Sequence, residues 1–384
     1  MIKKLRMGMI GGGEGSLIGP VHRMAARLDG MTVLVCGAFS SDPAISAATG
    51  AAEGLDSSRT YDTWQDMVVH EASLPEDIRP HFMSIVTPNH LHYAPAKMAL
   101  EAGFHVVCDK PLCMSVAEAL DLQETVERTG RLFCLTHNYT GYPMVKRARE
   151  MVMGGEIGAV RKIAVEYFQG WLSSLVETTG NRQAEWRSDP RKAGIAGAMA
   201  DIGTHAFNLA EYISGVEVTE LSADLGSVVP GRLLDDDGSV LLHFENGARG
   251  TLLASQVAIG EENNLSLRIY GEKGSITWRQ MEPNSLTVLW PDRPVQVYRT
   301  GTAFAATGVA AHMHTRIPAG HPEGFIEAFA NLYRNFSLHI IALSEGNERD
   351  PLADYPGIRD GVRGMKFLEA VVASSRDNSS KRAV

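Results

Sequence analysis

The sequence is poor in cysteine and contains no long apolar run. Its 384 residues include 4 cysteines, and these form no CxxC pair. They are Cys36, Cys108, Cys113 and Cys134, and most lie in apolar strand-like stretches, where a free thiol behaves as a small hydrophobic group. No apolar run reaches the roughly 18 residues that a membrane helix requires. These features argue against a disulfide framework and a membrane span, and they favour a cytoplasmic protein.

Positive charge is also scarce. The chain has 36 Lys and Arg against 45 Asp and Glu, a formal charge of −9, and its basic residues are dispersed. Without a basic stripe we expect neither a nucleic-acid partner nor a membrane-surface partner. The basic start MIKKLR leads directly into a strand and a glycine loop, without the apolar stretch and cleavage site of a signal peptide. We therefore expect no export.

Glycine, in contrast, is concentrated near the start, in MIGGGEGSLIGPVH from Met9 to His22. A glycine loop between a strand and a helix lets backbone N–H groups surround a phosphate, although an ordinary strand-to-helix turn has a similar composition. The loop is three residues longer than the simplest GxGxxG pattern. The sequence predicts a dinucleotide site at Gly11, Gly13, Gly15, Ser16, Leu17, Ile18 and Gly19.

The pattern of apolar and polar residues changes near residue 138. Up to about residue 138, short apolar strands alternate with helical segments, which predicts βαβ units and a parallel sheet. From residue 139 to 384, longer alternating stretches appear, and the Asn246-Gly247 pair is a strong hairpin signal. We expect an α/β protein with a nucleotide-binding domain over 1–138 and a mostly antiparallel sheet domain over 139–384, whose late helix packs back on the first domain. The polar tail SSRDNSSKRAV is expected to be disordered.

Polar residues follow further strands of the predicted parallel sheet. The second strand ends at Ser40 and Ser41, whose hydroxyls suit either a ribose hydroxyl or a 2′-phosphate, so NAD and NADP both remain open, with NAD slightly favoured. The later strand ends carry Thr87, Pro88, Asn89 and His92, and then Asp109 and Lys110. Because the carboxyl ends of parallel strands share one edge, these residues are expected to contact the cofactor. Alternatively, Lys110 is a turn lysine paired with Asp109.

The segment from Gly197 to Gly215 reads as a helix with apolar residues at steps of three and four. Asp201, His205, Asn208 and Tyr212 form a second stripe beside the apolar one. Oxidation of an alcohol needs a base within reach of the hydroxyl proton, and histidine suits this role near neutral pH. Asp201 would orient the imidazole or bind a neighbouring hydroxyl.

These motifs resemble the Gfo/Idh/MocA family of sugar and cyclitol oxidoreductases. The resemblance rests on the glycine loop, TPNHLHYAPA, the Asp109-Lys110-Pro111 motif and EWRSDPRKAGIAGAMADIGTHAFNL, with Asp109 where members commonly have Glu. It implies an N-terminal Rossmann domain, a C-terminal domain with an open-faced sheet that forms the subunit interface of a dimer or tetramer, and hydride exchange with a nicotinamide. It also implies catalytic roles for Lys110, Asp201 and His205.

The remaining site residues complete this prediction. We assign Trp186 and Arg187, which precede the catalytic helix, to the cofactor, and Asn138, Tyr139, Asp201, His205 and His321 to a sugar or polyol substrate. Three histidines between His312 and His321 lack a carboxylate or cysteine at a ligand spacing, so no metal is expected. The predicted function is an NAD(P)-dependent dehydrogenase of a secondary hydroxyl on a sugar, sugar derivative or cyclitol. The alternatives are a glycosidase that oxidises and re-reduces the sugar transiently, and a nicotinamide-binding sensor without turnover.

Overall fold

A computed structural model describes residues 4–302 and 308–384. Part of the basic start, residues 1–3, lies outside the described residues, as do residues 303–307. The chain divides into two compact units. The N-terminal unit comprises Met1–Thr136 and Phe329–Val362, and the C-terminal unit comprises His137–Ala328 and Arg363–Val384.

The first 136 residues alternate strands with helices. In chain order the elements are β1 (Leu5–Gly11), α1 (Ile18–Leu28), β2 (Thr32–Ala38), α2 (Pro43–Ala52), α3 (Trp64–Ser73), β3 (Phe82–Val86), α4 (Tyr93–Glu101), β4 (His105–Cys108), α5 (Val116–Thr129) and β5 (Phe133–Leu135). In the described part of this unit the strands form one five-stranded sheet in the order β2-β1-β3-β4-β5, with every pairing parallel. The Rossmann prediction is thereby confirmed.

The rest of the chain supplies the second sheet and the late helices. Its elements are α6 (Pro143–Met153), β6 (Val160–Phe168), α7 (Arg182–Arg187), α8 (Pro190–Ala193), α9 (Thr204–Ser214), β7 (Val218–Gly226), β8 (Asp237–Phe244), β9 (Arg249–Ser255), β10 (Asn264–Gly271), β11 (Ser275–Arg279), β12 (Ser285–Leu289), β13 (Gln296–Arg299), α10 (Val309–Met313), α11 (Phe325–Ser344), α12 (Ile358–Arg376) and β14 (Arg382–Ala383). Within the described residues the sheet has the order β13-β12-β11-β10-β6-β9-β8-β7-β14.

The nine-stranded sheet is antiparallel except where β6 pairs with β9. The hairpin predicted at Asn246-Gly247 joins β8 to β9, with Gly247 at a φ of +84°. Burial alternates along most strands, so that one face is buried and the other is open, as in β8, where Val240 is buried and Leu241 is 58% exposed. This arrangement confirms the expected mostly antiparallel, open-faced sheet.

Buried aromatic side chains of α11 complete the core of the N-terminal unit. The ring of Phe336 meets that of Phe82 on β3 edge-on at 5.6 Å, and Tyr333 is 2% exposed. The four cysteines are buried thiols. In β4, burial raises the pKa of the Cys108 thiol well above its ordinary value, which keeps the thiol neutral.

Three local features differ from the sequence prediction. Helix α2 was not predicted because PAISAATGAA lacks an amphipathic stripe; Asp42 starts it by accepting a hydrogen bond from the Ala44 amide, with Pro43 at the first position. The tail expected to be disordered is ordered, since α12 continues to Arg376 and β14 pairs with β7. The helix predicted over 197–215 begins with a π-helical turn, Met199–Gly203.

Within residues 4–302 and 308–384, every helix is too short or too polar to span a membrane.

Candidate functional site

The glycine loop of the N-terminal unit joins β1 to α1 by close backbone contacts. Gly11 and Gly12 have φ values of +80° and +74°, which other residues rarely adopt. A Cβ on Gly19 would overlap the carbonyl oxygen of Gly12, so the first turn of α1 lies directly against the loop. The Gly13 amide donates to Phe39 O at 3.0 Å, which ties the loop to the end of β2.

The geometry of this loop fits a dinucleotide phosphate. The Ser16 hydroxyl accepts from the Gly19 amide at 3.1 Å, and Ile18 begins α1, so the partial positive charge of the helix N-terminus lies at the loop. The tip of the loop is exposed at Gly15 and Leu17. Gly12 and Gly19 pack against each other, so a ligand would reach the loop at its exposed tip.

The other predicted cofactor residues lie at the same edge of the parallel sheet. Ser40 and Ser41 follow β2, and the Asp42 carboxylate is committed to capping α2. After β3, the Thr87 hydroxyl donates to Leu91 O at 2.8 Å, and Asn89 is buried in a short turn. The predicted edge is therefore assembled from these strand ends.

His92 bridges two of these loops. Its Nδ1 lies 2.7 Å from Pro111 O and its Nε2 lies 2.8 Å from Thr87 O. Burial lowers the pKa of the imidazole. His92 therefore lies between the Thr87 loop and the Lys110-Pro111 loop, and as a neutral imidazole it donates to one of the two carbonyls at a time.

Asp109, which precedes Lys110, lies in a buried polar chain. Its Oδ1 accepts from the Thr136 hydroxyl at 2.6 Å and lies 3.9 Å from His22 Nε2. On the other side of the imidazole, Nδ1 lies 2.7 Å from the Tyr333 hydroxyl, which also lies 2.7 Å from the Ser84 hydroxyl. Burial acts to raise the pKa of the Asp109 carboxyl, but His22, Lys110 and Thr136 outweigh it and hold that pKa well below its usual range.

In the C-terminal unit, a carboxylate anchors the turn that carries the predicted catalytic pair. Asp235 accepts hydrogen bonds from the amides of Gly197 at 2.6 Å and Met199 at 2.8 Å. The π-helical turn that follows contains Asp201, and His205 lies in the first turn of α9. A π turn next to a functional residue is a frequent arrangement, because it redirects a side chain relative to the following helix.

The Asp201 carboxylate lies among amide and guanidinium donors. Its Oδ2 accepts from Gln256 Nε2 at 2.9 Å and from Arg187 Nε at 3.3 Å. The Arg187 guanidinium lies over the Trp186 ring, 4.2 Å from its centroid. Trp186 and Arg187, predicted as cofactor residues, are thus placed beside Asp201 within this unit.

His205 is 6% exposed and is surrounded by rings. Its centroid lies 4.9 Å from that of Tyr139 and 5.1 Å from that of His137, both edge-on. His205 Nδ1 lies 3.3 Å from His137 Nδ1. Ring contacts and the contact at Nδ1 therefore hold the imidazole.

The Tyr139 hydroxyl belongs to a closed hydrogen-bond circuit. Asn263 accepts from the Tyr167 hydroxyl at 2.7 Å and donates to the Tyr139 hydroxyl at 3.1 Å. Because Tyr167 gives its proton to Asn263, the 2.5 Å contact between the phenols requires Tyr139 to donate to Tyr167. Burial raises the pKa of both phenols, so both remain neutral.

Two predicted substrate residues differ in exposure. Asn138 is 3% exposed, and its Nδ2 meets no hydrogen-bond acceptor among residues 4–302 and 308–384, which suits a ligand contact. His321 is exposed, with Nδ1 3.2 Å from Pro318 O.

The neighbouring His314 is fully buried and donates from Nδ1 to Ala310 O. Over the described ranges no cluster of three potential metal ligands occurs.

Sequence reasoning missed several residues of this constellation. Gln169 and Gln256 follow the paired ends of β6 and β9, where Phe168 lies beside Ser255, and Asn263 precedes β10, whose Asn264 pairs with Phe168. These amides meet only through the sheet register, which the sequence did not reveal. His137 was also missed, although its position directly before the predicted Asn138 could have drawn attention to it.

Each of the two units matches a known protein-family model over most of its continuous segment. Residues 5–137 match the family model described as an oxidoreductase family with an NAD-binding Rossmann fold, and residues 145–277 match the GFO/IDH/MocA C-terminal domain.

Full-length similarity extends to solved structures and to a curated enzyme. An oxidoreductase from Sinorhizobium meliloti is 44% identical, with a TM-score of 0.89 and coverage of 99% of both chains. An inositol dehydrogenase homolog from Azotobacter vinelandii, in complex with NADH and myo-inositol, is 33% identical, with a TM-score of 0.91 and coverage of 100% of this chain and 98% of that one. Levoglucosan dehydrogenase of Pseudarthrobacter phenanthrenivorans is 27% identical over 98% of both chains.

The Gly19 contact predicts the effect of a single methyl group. Gly19→Ala should lower the free energy of unfolding by about 1–3 kcal/mol and weaken NADH binding, because backbone atoms of the loop must move. Urea unfolding and fluorescence titration with NADH measure the two effects. Gly226→Ala, at an exposed strand end where a Cβ meets nothing within 4 Å, is the matched control. Equal behaviour of the two variants would contradict this packing.

The lowered pKa of Asp109 predicts a pH-dependent contribution to stability. The ionised carboxylate stabilises the folded state above the unfolded pKa of about 3.9, and this contribution is lost as pH falls through the lower folded value. Asp109→Asn should therefore cost about 1.5–3 kcal/mol between pH 5 and 8, with the difference from wild type shrinking below about pH 4. Urea unfolding across this range measures it. Asp121→Asn, which removes an exposed pair with Lys97, should cost less than about 1 kcal/mol; a larger loss there than at Asp109 would refute the assignment.

Proposed function

The chain belongs to the Gfo/Idh/MocA family of oxidoreductases and contains an NAD-binding Rossmann domain, and we propose that it oxidises a secondary hydroxyl of a sugar or cyclitol with NAD. The observation that carries the proposal is the buried His205 imidazole among aromatic rings, on the helix that follows the turn containing Asp201, whose carboxylate accepts from Gln256. Such a wall suits a polyol, which presents many hydroxyls and apolar C–H faces.

The preference for NAD over NADP is supported by the end of β2. The residues there are Ser40 and Ser41, and no arginine follows them to bind a 2′-phosphate. The Asp42 carboxylate is engaged by the Ala44 amide. The proposed ribose contacts are therefore the serine hydroxyls.

The substrate class is supported by the relatives and by the site. The Azotobacter vinelandii homolog was solved with myo-inositol, and the Pseudarthrobacter phenanthrenivorans relative is a levoglucosan dehydrogenase. In this chain, Asp201, Arg187 and Gln256 form one hydrogen-bonded group, which offers both a charged acceptor and donors to vicinal hydroxyls. We propose that Asp201 binds the hydroxyl adjacent to the reacting one.

The proposed chemistry assigns one step to each residue. NAD+, held at the glycine loop between β1 and α1, would supply the acceptor for the hydride of the reacting carbon. His205 takes the hydroxyl proton at Nε2, because its Nδ1 faces His137. By its match to the family's motif, Lys110 would stabilise negative charge that develops on a substrate oxygen. The products are a ketone, NADH and a proton held first by His205.

A direct assay tests the proposal. Purified protein is incubated with NAD+ or NADP+ and a panel that includes myo-inositol, levoglucosan and alkyl glucosides, and reduced nicotinamide is followed by absorbance. We expect NADH formation with at least one polyol. Aglycone release without net reduction would replace the proposal with transient-oxidation glycosidase chemistry, and cofactor binding with neither reaction would replace it with a sensor.

Two variants test the residue roles. Lys110→Ala and His205→Ala should each lower kcat/KM by about 10²- to 10⁴-fold, since each removes a group that acts in the transition state. His205→Ala should leave NADH affinity unchanged in a fluorescence titration. Lys97→Ala and His70→Ala, at surface contacts with Asp121 and Tyr61, serve as controls and should retain activity. Full activity in both test variants would remove the assignment.

A further inference from the structure

His137 and His205 form a buried imidazole pair in the C-terminal unit. His137 is 2% exposed and His205 is 6% exposed, and their rings meet edge-on at an interplanar angle of 83°. Their Nδ1 atoms lie 3.3 Å apart, within hydrogen-bond range. The Thr140 hydroxyl donates to His137 O at 2.9 Å, which holds the backbone of His137 in place.

A contact between two Nδ1 atoms restricts the protons on both rings. A hydrogen bond there requires one Nδ1 to carry a proton and the other to present a lone pair. In a neutral imidazole the second nitrogen then has the opposite state, so the tautomer of one ring sets the tautomer of the other. The two rings cannot both be imidazolium ions at this distance, because each would then carry a proton on Nδ1 and the two N–H groups would face each other in a buried site.

We propose that His137 is a positioning residue that holds His205 as the Nδ1–H tautomer, so that His205 Nε2 is free of a proton and accepts one from the substrate. This inference rests on the proposed function, which requires a base at His205. His137 then accepts at Nδ1 and carries its own proton on Nε2. When His205 gains the substrate proton, its Nδ1–H still donates to His137, which stabilises the imidazolium.

The other ionisable groups that face α9 have contacts of their own. Tyr139 faces His205 from the turn after β5, and Tyr167 faces it from β6, but both phenol protons lie within the Asn263 circuit. From α6, the Lys146 ammonium lies over the Tyr212 ring, 5.0 Å from its centroid. Asp201, on the turn before α9, bears its ion pair with Arg187.

Two substitutions separate the hydrogen bond from the packing. His137→Phe keeps a ring at the edge-on contact and removes the acceptor. His137→Asn restores an acceptor, because Oδ1 of asparagine and Nδ1 of histidine are both bonded to Cγ. A residue with a merely structural role would tolerate Phe at least as well as the smaller Asn.

The kinetic test compares these variants with wild type. His137→Phe should lower kcat by about ten- to a hundredfold, the effect of one lost hydrogen bond to a charged group. The acidic limb of its pH–rate profile should move to lower pH, since the imidazolium of His205 is no longer stabilised. NADH affinity should be unchanged. His137→Asn should recover most of the lost rate and the position of the limb. Equal losses in both variants would overturn the proposal.

A spectroscopic test is independent of turnover. Long-range ¹H–¹⁵N correlation spectra of protein labelled with ¹⁵N-histidine report which ring nitrogen carries the proton, and His205→Asn and His137→Asn assign the two rings. We expect wild-type His205 to be protonated at Nδ1 and His137 at Nε2, with the His205 tautomer lost in His137→Phe. A proton on His205 Nε2 in the neutral wild type would refute the inference. Absence of activity with every polyol would instead refute the proposed function, because the tautomer measurement does not need a substrate.

Discussion

The parallel pairing of β6 with β9 is the constraint on which the C-terminal site depends. Because both strands end at the same edge, Gln169 and Gln256 emerge side by side, and Gln256 donates to Gln169 at 3.2 Å. The antiparallel strand β10 begins at that edge, which brings Asn263 within 2.7 Å of Gln169. A register slip of one residue would turn the alternating side chains of a strand to the opposite face and separate these amides.

The consequence is a polar wall in which Tyr139, Tyr167 and Asn263 satisfy one another's hydrogen bonds. An unpaired buried donor or acceptor carries the full cost of its desolvation, whereas a closed circuit avoids it. Tyr139, Tyr167 and Asn263 form such a circuit, and it leaves the phenol rings to pack against His205. The site is therefore rigid through hydrogen bonds that do not themselves take part in the proposed chemistry.

In the N-terminal unit, Tyr333 of α11 also links buried polar groups. Its hydroxyl contacts both His22 and Ser84, and the other nitrogen of the His22 ring faces Asp109.

Local sequence signals were sufficient where one short-range interaction determines the structure. The strand Phe82–Val86 is a fully buried apolar run, and the helix Val116–Thr129 begins at the Ser115 cap. Asp201 and His205 were predicted from helical spacing and from the family resemblance. The spacing did not reveal the π turn, which depends on the Asp235 carboxylate more than 30 residues later. The ordered tail likewise depends on a distant edge, since Ala383 pairs with Glu220. Gln169, Gln256 and Asn263 carry no local signal, because only the order of the strands unites them.

In the proposed mechanism, the partner of His205 determines how strong a base His205 is. A carboxylate at Nδ1 stabilises an imidazolium strongly, and the base then holds its proton tightly. A neutral imidazole accepts the same hydrogen bond without a full opposite charge, so the imidazolium is stabilised less and releases its proton more readily. In this chain the nearby carboxylate of Asp201 is balanced by the Arg187 guanidinium at 3.3 Å, which reduces its electrostatic effect on its surroundings. A dehydrogenase must both take up and release a proton in every turnover, and in either direction of the reaction. A histidine partner thus favours a base that is regenerated easily over one that is as strong as possible.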